Sequence, residues 1–406
     1  MTTASAPGPT ALAAAASRLA RQLAELPGAA EGWHAQSLSK GAAGVAILHG
    51  VRAQSGHGSL DLAHAWLGRA VGIGIADGPG TGLWFGAPAI AFAMVAAAPG
   101  HYPGASRALK SVIDEMTRTR LHAARRRIAA GTRPPMEEYD LVRGLTGLGA
   151  YLLHSDPDSG LLRDILLYLV RLTEPVPVAD AVGPRAPGWW SSSNPNLTTN
   201  TPGGHGNFGM AHGIAGPLAL LALTARQGIM VPGHIDGIDR ICGWLDTWRQ
   251  SGPAGPWWPP WITAAELREG RPSRAAPGRP SWCYGTPGLA RAMQLAAHAR
   301  RDQPRQSDAE NILARCVTDP GQTALLTDPG LCHGWAGATA ATWYAARDAN
   351  GTTLGAAAGA LASILASSGS DGHPYGLIDG YAGAALTLHE LATGAPGTWA
   401  RCLLLT

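Results

Sequence analysis

Two kinds of apolar pattern alternate along the chain. In the first, a glycine is followed by two residues, a small residue and about ten mostly apolar positions. KGAAGVAILHG (40–50) sets the form, which recurs as FGAPAIAFAMV, RGLTGLGAYLL, HGIAGPLALLAL, YGTPGLARAMQLA, HGWAGATAATWYA and DGYAGAALTLHEL. The seven leading glycines are Gly41, Gly86, Gly144, Gly213, Gly285, Gly334 and Gly380, and the small residues after them are Gly44, Ala89, Gly147, Gly216, Gly288, Gly337 and Gly383. In the second kind, apolar residues recur every three or four places among charged or small polar ones. ALAAAASRLARQLAEL is one such segment; LDLAHAWLGRAVGIGIA, LKSVIDEMTRTRLHAARRRIAA, LLRDILLYLVRL, IDRICGWLDTWRQ, AENILARCV and LGAAAGALASILAS are the others. That spacing predicts amphipathic helices, and the first kind predicts helices buried on every side.

One amphipathic helix followed by one apolar helix, seven times over, is a repeat whose units cannot bury their faces alone. The pattern predicts an all-α protein, an α/α toroid of seven helical hairpins. Seven apolar helices form its inner layer and seven amphipathic helices its outer one. The toroid is expected to be a single domain over residues 1–406, interrupted by long Pro/Gly-rich loops at about 174–209 and 252–280. No period-two pattern persists, which argues against a β or α/β domain. GLWFGAPAIAFAMVAAAPG (82–100) carries no charge and approaches the length of a membrane span, but as the second unit it reads as a buried inner helix.

If the inner helices run parallel, each leading glycine lies at one rim, and the residues before it face a common mouth. Those residues are chemically rich: Arg143, His212, Cys283 with Tyr284, Cys332 with His333, and Asp379. Cys283, Cys332 and His333 form an S/S/N set that suits Zn²⁺ and leaves one coordination position open. Adjacent ligands such as Cys332 and His333 diverge by about 100° within a helix, so they must sit in the loop that enters it. Two readings stand on these residues alone, a metal site or cysteines packed as small apolar residues.

Composition narrows the context. The 406 residues are 46% hydrophobic, enough for a sizeable core. With 31 Lys+Arg against 28 Asp+Glu, and Arg125–Arg127 the one tight basic run, nucleic acid is not an expected partner. Five widely spaced cysteines and no signal peptide point to reduced thiols in the cytoplasm.

The ordered motifs AHGIAG, WCYGTPG and CHGWAG on this repeat resemble the lantibiotic cyclases, the lanthionine synthetase C-like family. The resemblance covers nearly the whole chain. It implies a zinc held by Cys283, Cys332 and His333, with His212 as the catalytic histidine and Asp140, Arg279 and Tyr284 as further site residues. It also implies a stand-alone cyclase without kinase or dehydratase modules. Its substrate would be a precursor peptide already dehydrated at Ser or Thr by a separate dehydratase. An exporter would be a second partner, holding the enzyme near the membrane without any transmembrane segment of its own. The implied reaction adds a cysteine thiolate to dehydroalanine or dehydrobutyrine, giving lanthionine or methyllanthionine. His212 delivers the proton, Arg279 or Tyr284 stabilises the enolate, and Asp140 orients His212.

Two further readings share the same residues: addition of glutathione to dehydroamino acids, and a non-catalytic peptide-binding toroid with structural zinc. Toroidal glycosidases and terpenoid cyclases would need paired carboxylates or an Asp-rich motif, which the chain lacks. Cys242, Cys316 and Cys402 are read as packing residues, His373 as a loop histidine and Asp379 as a candidate substrate contact. Trp189, Trp190, Trp257, Trp258 and Trp261 in the two long loops either wall a peptide channel or pin the loops to the helices.

Overall fold

The computed structural model describes residues 8–25, 32–175, 186–196, 198–368 and 375–406; His373 and part of the first long loop lie outside them. The regular secondary structure of the described residues is almost entirely helical. All fourteen expected helices form. The apolar ones are Ala42–Gln54, Ala87–Ala97, Leu145–Ser155, Ala215–Arg226, Thr286–Arg300, Trp335–Asp348 and Tyr381–Thr393. The amphipathic ones are Pro9–Gln22, Leu60–Val71, Pro103–Ala129, Gly160–Leu172, His234–Thr247, Gln303–Thr318 and Thr353–Ser367. The uncharged 82–100 stretch contains a helix of only 11 residues, buried at nearly every position, and no helix among the described residues is long and apolar enough to cross a membrane.

The chain divides into two compact units, one of Met1–Ile113 with Val317–Thr406 and the other of Asp114–Cys316. In the first, four apolar helices pack side by side in the order Trp335–Asp348, Tyr381–Thr393, Ala42–Gln54, Ala87–Ala97. Thr353–Ser367, Pro9–Gln22 and Leu60–Val71 back the first three. The expected hairpin phase is therefore corrected. Ala42–Gln54 and Trp335–Asp348 pack on the amphipathic helix that follows them, and Tyr381–Thr393 packs on the N-terminal helix. Short connections explain this: only residues 55–59 separate Ala42–Gln54 from Leu60–Val71, whereas residues 23–41 separate the N-terminal helix from the apolar helix after it. Leu48, Leu386 and Leu388 are fully buried, each worth about 1.5–3 kcal/mol relative to exposure.

In the second unit, Leu145–Ser155, Ala215–Arg226 and Thr286–Arg300 pack in that order, with Gly160–Leu172 and His234–Thr247 behind the first two. One element was not expected: a short antiparallel pair joins His205–Asn207 to Trp261–Thr263, with Asn207 opposite Trp261. Each strand comes from one of the long Pro/Gly-rich loops, so the loops are tied to each other. Trp189, Trp190, Trp257 and Trp258 are buried. Trp190 Nε1–H donates to the Gly203 carbonyl at 2.8 Å and Trp258 Nε1–H to that of Leu245 at 2.7 Å. These four indoles pin the loops; Trp261 alone of the five is partly exposed.

The first unit also buries a carboxyl group. Glu390 accepts from Tyr344 Oη–H at 2.9 Å, Trp399 Nε1–H at 2.6 Å and the Gly397 N–H. Desolvation outweighs those donors and pushes its pKa up to about 8. A carboxyl raised in the folded state stabilises the fold below its unfolded pKa of about 4.3 and loses that contribution as pH rises towards 8. Glu390→Gln keeps an acceptor for Gly397 and Trp399 but cannot ionise. Its melting temperature is expected to exceed that of wild type by several °C at pH 8, with the gap closing towards pH 4. Thermal unfolding of both proteins across that range is the measurement, and parallel curves would remove the ionisation of Glu390 as the cause.

Candidate functional site

Six of the seven leading glycines immediately precede their helices; in the fourth unit the helix begins at Ala215, two residues after Gly213. Space explains the glycine. A Cβ on Gly285 would overlap backbone atoms of Ser281 and Arg279, because the entering loop folds back on itself.

Backbone hydrogen bonds fasten these loops to one another within each unit. In the second unit, Leu141 N–H donates to Ala211 O at 3.1 Å and Met210 N–H to Cys283 O at 2.8 Å. In the first, Leu331 N–H donates to Ile378 O at 2.6 Å, Ile378 N–H to Ser39 O at 3.1 Å and Leu38 N–H to Trp84 O at 3.1 Å. The donor lies two or three residues before its glycine and the acceptor two before the next one. Side chains one residue before each glycine are thereby held in step.

Asp140, fully buried, is the anchor of the second unit's site. Its Oδ1 accepts the N–H groups of Arg143 and Gly144 at 2.7 and 2.8 Å, and its Oδ2 accepts from His212 Nδ1 at 2.7 Å. A carboxylate oxygen so placed requires a proton on Nδ1, which leaves Nε2 as the nitrogen that exchanges protons with anything outside. The His212 side chain is about one-third exposed, so its ring is reachable. The Tyr284 ring lies nearly parallel to it, with centroids 6.3 Å apart and 28° between planes. Trp261 meets the Tyr284 ring edge-on at 6.3 Å. Arg279 is exposed, and its carbonyl accepts the Ser281 N–H at 2.9 Å.

Cys283 is buried, and its thiol lies 3.5 Å from Ser281 Oγ. Cys332 and His333 occupy the turn before Trp335–Asp348 and are partly exposed. His333 Nε2 lies 3.6 Å from Asp328 Oδ2, close but beyond hydrogen-bond distance. Cys283, Cys332 and His333 are a group able to hold a metal ion, their ligand atoms all within 4.8 Å of one another. As a donor set, two soft sulfurs and one imidazole nitrogen fit Zn²⁺. Burial pushes the Cys242 thiol up to about 11 and that of Cys402 higher still, so neither is a thiolate near neutral pH. Asp379 pairs with Lys40 at 3.4 Å, one register residue satisfying another.

Sequence reasoning missed Asp328, Ser281 and Asn207. The first two are short polar residues in loops, where turn formation is their ordinary role; Asn207 lies in a strand too short to show a period. Only their proximity in sequence to His333 and Cys283 was available as a signal for the first two.

A family profile described as lanthionine synthetase C-like protein matches residues 32–404. Among curated proteins, the chain is similar to the nisin biosynthesis protein NisC of Lactococcus lactis subsp. lactis. It is 25% identical to it over 263 residues, which are 63% of this chain and 60% of that protein. The match thus spans less than two thirds of the relative's length. Among solved structures, a nisin cyclase superposes with a TM-score of 0.73 at 20% identity, covering 97% of this chain and 96% of that one. The likeness carries the fold, and the α/α toroid expected from the repeat is the fold class of the chain.

The Asp140–His212 pair makes a structural prediction. Asp140→Asn keeps the Oδ1 acceptor for Arg143 and Gly144 but turns an amide N–H towards His212 Nδ1, forcing the other imidazole tautomer. Stability is expected to fall by about 1–3 kcal/mol, as when one hydrogen bond to a charged group is lost. ¹⁵N-histidine NMR should show the His212 proton moving from Nδ1 to Nε2. An unchanged tautomer would mean that Asp140 does not set the ring's protonation.

Proposed function

The chain belongs to the lanthionine synthetase C-like family, and we propose that it closes thioether rings in a dehydrated precursor peptide. The observation that carries the reading is the Asp140–His212 pair, set beside Tyr284 and joined to the Cys283 loop by the Met210–Cys283 backbone hydrogen bond. An oriented imidazole next to a thiol-binding loop matches a reaction that adds a thiol across a carbon–carbon double bond.

The reaction balances without redox chemistry. A substrate cysteine loses its S–H proton, its sulfur bonds to the β-carbon of dehydroalanine or dehydrobutyrine, and the α-carbon gains a proton. Cys283, Cys332 and His333 would hold Zn²⁺, which when bound supplies the Lewis acidity that lowers a thiol's pKa from about 8.5 towards neutrality. His212 delivers the α-carbon proton from Nε2. Asp140 holds Nδ1 and stabilises the imidazolium from which that proton leaves. The Tyr284 hydroxyl and the exposed Arg279 guanidinium meet the negative charge that builds on the acyl oxygen during addition.

Such a substrate must come from a reaction that eliminates water from Ser or Thr, so a dehydratase acts before this protein. The product peptide then needs an exporter, and a cytoplasmic enzyme is consistent with that order. The described residues contain no helix able to cross a membrane. The toroid is read as one domain over the whole chain.

Incubation of a dehydrated precursor with the zinc-loaded protein should abolish thiol alkylation without changing peptide mass. Added glutathione should leave mass unchanged; a gain of one glutathione per dehydro residue would instead assign the protein to intermolecular addition. Cys283→Ala, Cys332→Ala and His333→Ala should each lose zinc by elemental analysis, since each removes one of three protein ligands. His212→Ala should keep zinc and slow turnover by about 10²–10⁴-fold, the usual worth of general acid catalysis. Zinc loss in His212→Ala would make His212 a fourth ligand and favour a structural metal.

A further inference from the structure

The strand His205–Asn207 carries a buried polar network that the proposed chemistry does not yet use. His205 and Asn207 are both fully buried. His205 Nδ1 lies 2.9 Å from the Ser193 carbonyl oxygen, which only accepts, so Nδ1 carries a proton. Burial pulls the His205 pKa down to about 4, so the ring is neutral near pH 7 and Nε2 bears a lone pair. Asn207 Nδ2 lies 3.4 Å from His205 Nε2 and donates to it. On its other side, Asn207 Oδ1 accepts the Gly209 N–H at 3.0 Å. The carboxamide is thus oriented from both ends, oxygen to Gly209 and nitrogen to His205.

With one hydrogen given to His205, the other faces two acceptors, the Tyr284 hydroxyl oxygen at 3.5 Å and Met136 Sδ at 3.4 Å, of which the thioether sulfur is the weaker. A phenol oxygen that accepts from an amide N–H keeps its own hydrogen for another acceptor. Three neighbours fix the Tyr284 ring as well. Trp261, opposite Asn207 in the two-stranded pair, meets it edge-on, and Gly209 lies so close that a Cβ there would come within 2.7 Å of two ring carbons. His212 faces it across a 6.3 Å centroid separation.

Resting on the cyclase reading, we infer that Asn207 is a positioning residue for Tyr284: its fixed N–H₂ group holds the phenol oxygen as an acceptor and so directs the Tyr284 O–H at the acyl oxygen of the reacting dehydro residue. The chain Ser193–His205–Asn207–Tyr284 runs in one direction, each member's donor or acceptor set by the one before. The two long loops, joined through their strands, deliver it to the site.

Asn207→Ala and Asn207→Asp test this in wild-type and Tyr284→Phe backgrounds. Losing one neutral hydrogen bond should lower kcat about 3- to 10-fold with KM nearly unchanged. In the Tyr284→Phe background the same substitutions should cost nothing further, because the hydroxyl they act through is gone. An equal loss in both backgrounds would overturn the proposal. Two spectroscopic readouts stand apart from turnover. With ¹³Cζ-tyrosine labelling, the resonance missing from Tyr284→Phe should move in Asn207→Ala at fixed neutral pH; a stationary resonance would overturn the contact. In unsubstituted protein, ¹⁵N-histidine NMR should report a neutral His205 protonated at Nδ1. The Nε2–H tautomer would overturn the amide orientation even if every Asn207 variant failed to fold. A wild-type protein that cyclises nothing but shows both NMR signatures would remove the cyclase reading and with it the acyl-oxygen target, while leaving the Asn207–Tyr284 contact in place.

Discussion

Backbone hydrogen bonds between successive helix-entering loops are the constraint on which the site depends. A helix N-terminus leaves its first N–H groups without intrahelical partners, and a loop before it is free to wander unless its own backbone is tied. Here the tie runs from loop to loop within each unit: Leu141 to Ala211 and Met210 to Cys283 in one, Leu331 to Ile378, Ile378 to Ser39, and Leu38 to Trp84 in the other. The acceptors are main-chain carbonyls, so the tie is independent of side-chain identity. The adjacent side chains are left free to vary, and they range from Lys40 and Arg143 to His212, Tyr284, His333 and Asp379. A repeat fold can carry dissimilar reactive groups at one level because its fastening uses none of them.

The fourth residue before the leading glycine shows how chemistry is added to that frame. Ser37 Oγ accepts the Lys40 N–H at 3.4 Å and Ser281 Oγ accepts that of Tyr284 at 3.2 Å. Asp140 occupies the same place and does the same with Oδ1 for Arg143, at 2.7 Å. A carboxylate has a second oxygen, and that oxygen holds His212. One substitution type at a turn-capping position thus turns a local structural contact into a link between two repeats. Buried in full, the carboxylate depends on His212 and the two N–H donors, with the Arg120 charge acting on it as well. By contrast, Lys40 and Asp379 pair with 57% and 29% of their side chains exposed, where screening leaves little net energy.

The repeat made the fold legible. Seven glycines, seven apolar runs and seven amphipathic segments are periodic, and periodicity survives in a single sequence. Hairpin phase did not, because an alternating series reads the same from either member; loop length settled it in three dimensions. The register residues were legible as well, since Cys283, Cys332, His333, His212 and Tyr284 are rare side chains at a repeated address. Asp328, Ser281 and Asn207 were hidden for the opposite reason. They are ordinary turn-forming residues whose roles come from the partner folded against them.

The tryptophan-bearing loops show the same limit from another side. Their length and composition indicate that they are more than connections, yet indole content alone does not separate anchoring from contact with a ligand. Burial separates them: Trp190 and Trp258 spend their one N–H on main-chain carbonyls, as a buried indole must, and have none left for a peptide. Trp261 differs because the strand pairing places it opposite Asn207, next to the Tyr284 ring. Anchored indoles and a site-facing one therefore belong to the same device. Four fix the loops, and the fixed loops bring the fifth, with Asn207, against Tyr284.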